Sequence, residues 1–168
     1  MKAVVNVVLA GLGGQGVIKA SDVLSEAIFR GGHDLKKSEI HGMSQRGGSV
    51  STDVRFGARV FSPMVPAGEA DFLVVLAPDQ VSVNQARLRP DGVLITPDWI
   101  DEAALPNRKS LNVALLGALS AALEIPDEHW QAALRASFPE KLHAANAQAF
   151  AEGRRAASAR AAQSTPKS

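Results

Sequence analysis

The chain contains no cysteine. That absence excludes disulfides, a thiol nucleophile, a thiolate-held zinc site and a cysteine-held iron–sulfur cluster on this polypeptide. Neither charge is in excess: 18 Lys plus Arg stand against 17 Asp plus Glu, a formal charge of +1. No basic field dominates, so nucleic acid is not expected as the main partner, although a local anion site stays open. No apolar run approaches the roughly 20 residues of a membrane span, so no membrane partner is expected. Met1-Lys2-Ala3-Val4-Val5-Asn6 lacks the separate charged, apolar and cleavage regions of a signal peptide. The expectation is a cytoplasmic protein. His33, His129 and His143 are scattered and make no metal pattern, and no Ser-His-Asp set stands out. No internal repeat is visible.

With 168 residues, one domain is expected. A chain of this size can bury roughly 70% of its unfolded surface and needs no covalent or metal staple. The composition places the domain at 1–153. Ala, Arg, Ser, Lys and Gln dominate after that, and 154–168 is read as a flexible tail.

The stretch that organises the chain is Val7-Val8-Leu9-Ala10-Gly11-Leu12-Gly13-Gly14-Gln15-Gly16-Val17. An apolar run of the kind that is buried on both faces of a parallel sheet ends in four glycines. The apolar residues Val17, Ala20, Val23, Leu24, Ala27 and Ile28 then recur at helical spacing up to Gly31-Gly32. Residues 34–41 read as a second strand, with Leu35 and Ile40 as its apolar members. Val50, Thr52, Val54 and Phe56 alternate with Ser49, Ser51, Asp53 and Arg55. That is a one-faced strand, with Asp53 and Arg55 on its solvent side. Gly57-Ala58 is expected to turn it into Arg59-Val60-Phe61 as a hairpin. Residues 71–77 and 93–96 are further buried strands, with a short helix over 79–88 between them. Residues 111–123 are helical and apolar nearly all round, so that helix is buried by its own sheet or by a partner. Asp127 and Glu128 open another helix, and Ser137-Phe138-Pro139-Glu140 reads as a capping box that opens the last one. The fold class is therefore α/β. A Rossmann-like, mostly parallel sheet is flanked by helices, with an inserted β-hairpin and a C-terminal helical segment.

Two loops carry the chemistry. Gly11, Gly13 and Gly16 fit the G-x-G-x-x-G spacing, and Gly14 and Gln15 fill the turn. Backbone N–H groups at a helix start, together with the helix dipole, favour a phosphate. An empty strand-to-helix turn remains the other reading. A Walker phosphate loop is excluded, since no Gly-Lys-Ser/Thr follows. NAD is disfavoured, because a ribose-binding acid should end the second strand about 20 residues on, and that strand ends in His41-Gly42. The second loop is His41-Gly42-Met43-Ser44-Gln45-Arg46-Gly47-Gly48. In this fold it lies beside the glycine turn. Ser44 and Gln45 offer neutral hydrogen bonds, Arg46 a planar cationic fork, and Gly47-Gly48 close backbone approach. His41 is a weak candidate for a general base, against the commoner role of a hydrogen-bonded structural group.

Ala10-Gly11-Leu12-Gly13-Gly14-Gln15-Gly16, then 38–50 including His-Gly-Met-Ser-Gln-Arg-Gly-Gly, Val54-Arg55-Phe56-Gly57, Phe61-Ser62-Pro63, Gly68-Glu69-Ala70-Asp71 and 110–118 resemble one family. It is the beta subunit of indolepyruvate ferredoxin oxidoreductase, which corresponds to the gamma subunit or domain of the wider 2-oxoacid:acceptor oxidoreductases. The similarity spans about residues 3 to 153. It implies oxidative decarboxylation of a 2-oxoacid on thiamine diphosphate, electrons passing through iron–sulfur clusters to ferredoxin, and transfer of the acyl group to coenzyme A. It also implies that thiamine diphosphate, Mg and [4Fe–4S] clusters sit on a large catalytic partner subunit. The lack of cysteine, and of a thiamine-type Gly-Asp-Gly acidic motif, agrees with that division. On this reading the chain holds no cofactor alone and contacts coenzyme A through Gly11, Gly13, Gly14, Gln15, Gly16, Ser44, Gln45, Arg46, Gly47 and Gly48. The alternative is a nucleotide-binding (NAD or FAD) sensor without catalysis.

Overall fold

The computed structural model describes residues 3–42 and 47–164. Its centre is β1 (Val4–Leu12), whose residues Val7, Val8, Leu9 and Ala10 are fully buried. The strand is apolar on both sides because both sides are covered. Burial of Val7, Val8 and Leu9 contributes about 1.5–3 kcal/mol each, and the single methyl of Ala10 less. Helix α1 (Val17–Arg30) follows the glycine turn, then β2 (Asp34–His41), β3 (Ser49–Gly57) and β4 (Ala70–Val75). A short helix, α2 (Val81–Asn84), and flanking single 3-10 turns lead to β5 (Leu88–Ile95). Helices α3 (Leu111–Ser120), α4 (Asp127–Ser137) and α5 (His143–Ser164) complete the chain.

The five strands lie in the order β2-β3-β1-β4-β5. β4 runs parallel to β1 and β5 parallel to β4, whereas β3 is antiparallel to both β1 and β2. Every strand except β3 therefore points the same way, and the sheet is mostly parallel. Val7, Leu9, Val54, Phe56 and Val74 face α1, α3, α4 and α5 in the larger core. Val8, Ala10, Leu73 and Val75 face the other way, toward Val65 and Val81. That face is covered by irregular chain and the short turns around α2, so the helical cover is one-sided.

The structure corrects five expectations. The hairpin pairs β2 with β3, not β3 with Arg59-Val60-Phe61. Gly57 does not turn the chain. It pairs with both Val4 and Asp34, and a Cβ there would lie 2.1 Å from the Ala3 carbonyl. Asp53 is wholly buried, not solvated. Its carboxylate accepts from Arg87 Nη2 at 2.6 and 2.7 Å and from the Val65 amide at 2.9 Å. β5 begins at Leu88, ahead of the expected 93. As an edge strand it tolerates Pro90, which has no N–H to donate. Ser137 ends α4, and the next turn is capped by Pro139 without a side-chain bond, so no capping box forms.

The fifth correction concerns the tail. Helix α5 continues to Ser164, and Gly153, Ala156 and Ala157 on it are buried. The reason is its fit to α3. A Cβ on Gly153 would lie 1.7 Å from the Ala114 carbonyl, and one on Gly117 would lie 2.1 Å from the Phe150 carbonyl. The two helices meet backbone to backbone, and small residues carry α5 onward. Arg160 stacks over Trp99 at 4.3 Å and holds its far end. The same packing buries α3 within this chain.

Candidate functional site

The site lies at the carboxyl end of β1, where ligands bind in open α/β sheets. The turn from β1 into α1 is closed twice over residues 12–15. The Gln15 amide donates to the Leu12 carbonyl at 3.2 Å, and the Gln15 side-chain oxygen accepts from the Leu12 amide at 2.8 Å. Gln15 therefore shapes the turn from within. Gly14 (φ 88) and Gly16 (φ 83) are left-handed, a conformation that favours glycine. A Cβ on Gly14 would meet nothing within 4 Å, so the turn opens to space at its apex. At Gly11 the constraint is close packing instead, since a Cβ there would lie 2.8 Å from Gln15 Oε1 and 2.9 Å from Val17 Cγ2. Helix α1 carries no side-chain cap and no acidic residue in its first turn. Its amino end therefore keeps the electropositive character that suits an anion.

The second loop does reach the first. The Gly13 amide donates to the Gly48 carbonyl at 2.8 Å, and the Gly42 amide to the Ser49 carbonyl at 2.7 Å. Gly47 is left-handed (φ 85) and its backbone packs on Gly13. Ser44, Gln45 and Arg46 lie outside the described residues. His41 lines a cleft of about 390 Å³ with Gly13, Gly14, Lys19 and Val50. Its ring is 61% exposed, with Nε2 3.6 Å from Glu39 Oε2. The Lys19 ammonium turns away and donates to the Ser137 carbonyl at 3.2 Å.

On the other flank of the turn, a cleft of about 430 Å³ is lined by Gly14, Gln15, Gly16, Arg108, Lys109 and Asn112. Sequence reasoning assigns no role to these last three. Asn112 falls within the 110–118 stretch that carries the family resemblance, whereas Arg108 and Lys109 show only as a pair of adjacent cations ahead of an apolar helix. The fold brings them to the glycine turn, giving it two cationic side chains. This arrangement can hold a phosphorylated ligand against an uncapped helix start. With no thiolate, the chain's residues do not fit an iron–sulfur cluster.

Fold and site together define a Rossmann-like domain with a glycine-rich strand-to-helix turn at its strand ends. The family model for pyruvate ferredoxin/flavodoxin oxidoreductase matches residues 6–106 and 96–156. The chain belongs to that family. It is 31% identical to the indolepyruvate oxidoreductase subunit IorB of Methanothermobacter thermautotrophicus, over 88% of this chain and 95% of that one. It is 34% identical to IorB of Thermococcus kodakarensis over 82% of this chain and 66% of the relative, so it spans about two thirds of that longer protein. In fold it matches the gamma subunit of a keto/oxoacid ferredoxin oxidoreductase from Geobacter sulfurreducens. The TM-score is 0.78 at 22% identity, over 94% of this chain and 98% of the other. It also matches 32% of a chain of the 2-oxoglutarate:ferredoxin oxidoreductase from Magnetococcus marinus, a structure with 2-oxoglutarate, coenzyme A and succinyl-CoA bound. There the TM-score is 0.79 at 20% identity, over 95% of this chain.

Proposed function

We propose that this chain is the accessory subunit of a 2-oxoacid:ferredoxin oxidoreductase that oxidatively decarboxylates an aryl 2-oxoacid such as indolepyruvate. The observation that carries the substrate class is the match to an IorB subunit over nearly the whole of both chains. Thiamine diphosphate, Mg and [4Fe–4S] clusters belong to a large catalytic partner, and ferredoxin takes the electrons in the cytoplasm. The lack of cysteine supports that division of labour. The chain is inactive alone.

Its own share is to receive coenzyme A, which accepts the acyl group of the decarboxylated 2-oxoacid. The apex of the glycine turn at Gly14, the start of α1, and Arg108 with Lys109 favour a phosphate of that ligand. Gly11, Gly13, Gln15, Gly16, Gly47 and Gly48 shape the receptacle, and the sequence offers Ser44, Gln45 and Arg46 as further contacts to the ligand. His41 sits at its rim and is at most an auxiliary proton carrier. Affinity purification of the chain from its native cell tests the reading. The expected result is a co-purifying larger polypeptide that carries thiamine diphosphate and iron. Recovery of the chain without such a partner, together with tight NAD or FAD binding in calorimetry, would instead mark it as a nucleotide sensor.

A further inference from the structure

We propose that Asn112 is the positioning residue of the glycine turn: through it, the start of α3 holds residues 14–16 in the shape that receives a phosphate. This rests on the reading of coenzyme A at that turn.

Asn112 is only 6% exposed and sits in the first turn of a helix that is apolar apart from it and Ser120 at the far end. A buried carboxamide is costly unless it is hydrogen-bonded, and both ends of this one are engaged. Oδ1 accepts from the Val113 amide at 2.9 Å, and Nδ2 donates to the Gly16 carbonyl at 3.2 Å. That carbonyl also accepts the first bond of α1, from the Ala20 amide at 2.9 Å. One carbonyl thus joins the starts of α1 and α3. The contact is close: a Cβ on Gly16 would lie 2.5 Å from Nδ2, and Gly16 is left-handed.

The two carboxamides at the turn divide the work. Gln15 closes it locally, three residues from Leu12. Asn112 ties it to a helix 96 residues away, and the cations that precede that helix, Arg108 and Lys109, line the same cleft. The backbone turn and the cationic pair are therefore held in register by one side chain. The Ala20 bond to Gly16 does not involve Asn112, so α1 should still start and the fold should survive its replacement. What changes is the setting of the turn against the cleft.

Two variants separate positioning from packing. Asn112→Ala deletes the clasp. Asn112→Asp keeps the shape but points a carboxylate at the Gly16 carbonyl and adds negative charge to a phosphate cleft. In the complex with the catalytic partner, the KM for coenzyme A should rise about threefold to tenfold in Asn112→Ala and at least about tenfold in Asn112→Asp. The KM for the 2-oxoacid is the internal control and should stay within about twofold. An unchanged coenzyme A KM in both variants overturns the proposal. So does a loss of kcat and melting temperature with the two KM values moving together, which is the signature of a structural role.

If the wild-type complex shows no saturation by coenzyme A, the proposed function itself fails. Positioning is then decided on the full chain with inorganic pyrophosphate. Amide exchange over residues 13–20 should slow on adding pyrophosphate to the wild type and stay unchanged in Asn112→Asp. Equal slowing in both, or none in the wild type, overturns the inference.

Discussion

The Gly13 amide donates to the Gly48 carbonyl at 2.8 Å. This bond joins the glycine turn after β1 to the start of β3, and so brings together segments 35 residues apart in the chain. Within the first turn, Gly14 depends on its φ value rather than on room. Gly14→Ala meets no atom within 4 Å but must adopt φ near 88°, at a cost of about 1–2 kcal/mol. Asn tolerates that region better, so Gly14→Asn should lose visibly less stability in urea unfolding than Gly14→Ala. Equal losses would mean that the turn relaxes out of the left-handed conformation.

Arg108 and Lys109 are exposed and line the cleft beside the turn. Reversing both charges should weaken coenzyme A binding by about tenfold to a hundredfold at low salt, with the gap narrowing as ionic strength rises. The melting temperature should hardly move. Affinities measured at several salt concentrations check this, and a salt-independent difference would assign the effect to shape instead of charge.

Asp53 is a wholly buried charge on the other face of the sheet. It anchors Arg87 and the Val65 amide, and so the cover over Val8 and Leu73. Asp53→Ala leaves Arg87 without its counter-ion and should cost about 3–5 kcal/mol. Replacing both as Asp53→Leu with Arg87→Met should recover much of that loss. Denaturant unfolding of the variants decides it, because a double variant no better than the single one would show that the polar links matter beyond charge balance.

Asp34 gives the acid dependence of folding a local source. The Val60 amide donates to its carboxylate at 2.8 Å. That bond, helped by Lys36, the Leu35 amide and Arg59, holds the carboxyl below the usual aspartate value. A depressed folded value means that the contribution is complete above the ordinary titration range near pH 4. It then fades as pH falls through the lower folded value. Wild type should therefore lose stability more steeply than Asp34→Asn between about pH 5 and 3. Parallel pH profiles in urea would contradict this.

Much of this architecture is readable before any coordinates. The run from Val7 to Ala10, the glycines after it and the apolar stripe of α1 declare strand, turn and helix by local chemistry alone. The site's second loop is likewise visible as glycine and polar residues without a hydrophobic purpose. What local patterns do not show depends on distant partners. Gly57-Ala58 looks like a turn, but β3 is claimed by β1 and β2 on either side. Asp53 alternates as a solvent-facing residue would, yet Arg87 reaches it from 34 positions away. The Ala- and Arg-rich end reads as tail because small residues carry little hydrophobicity. Their smallness is what lets α5 lie against α3. Arg108 and Lys109 gain their meaning from the turn they face, and Asn112, though part of a resembling stretch, gains its place there only in the fold.

The most direct test is reconstitution. The catalytic partner should be assayed with and without this chain for reduction of ferredoxin or a viologen dye by indolepyruvate and coenzyme A. Turnover should require the chain, and reversal of Arg108 and Lys109 should weaken the coenzyme A dependence. Full activity and unaltered coenzyme A dependence of the partner alone would contradict it.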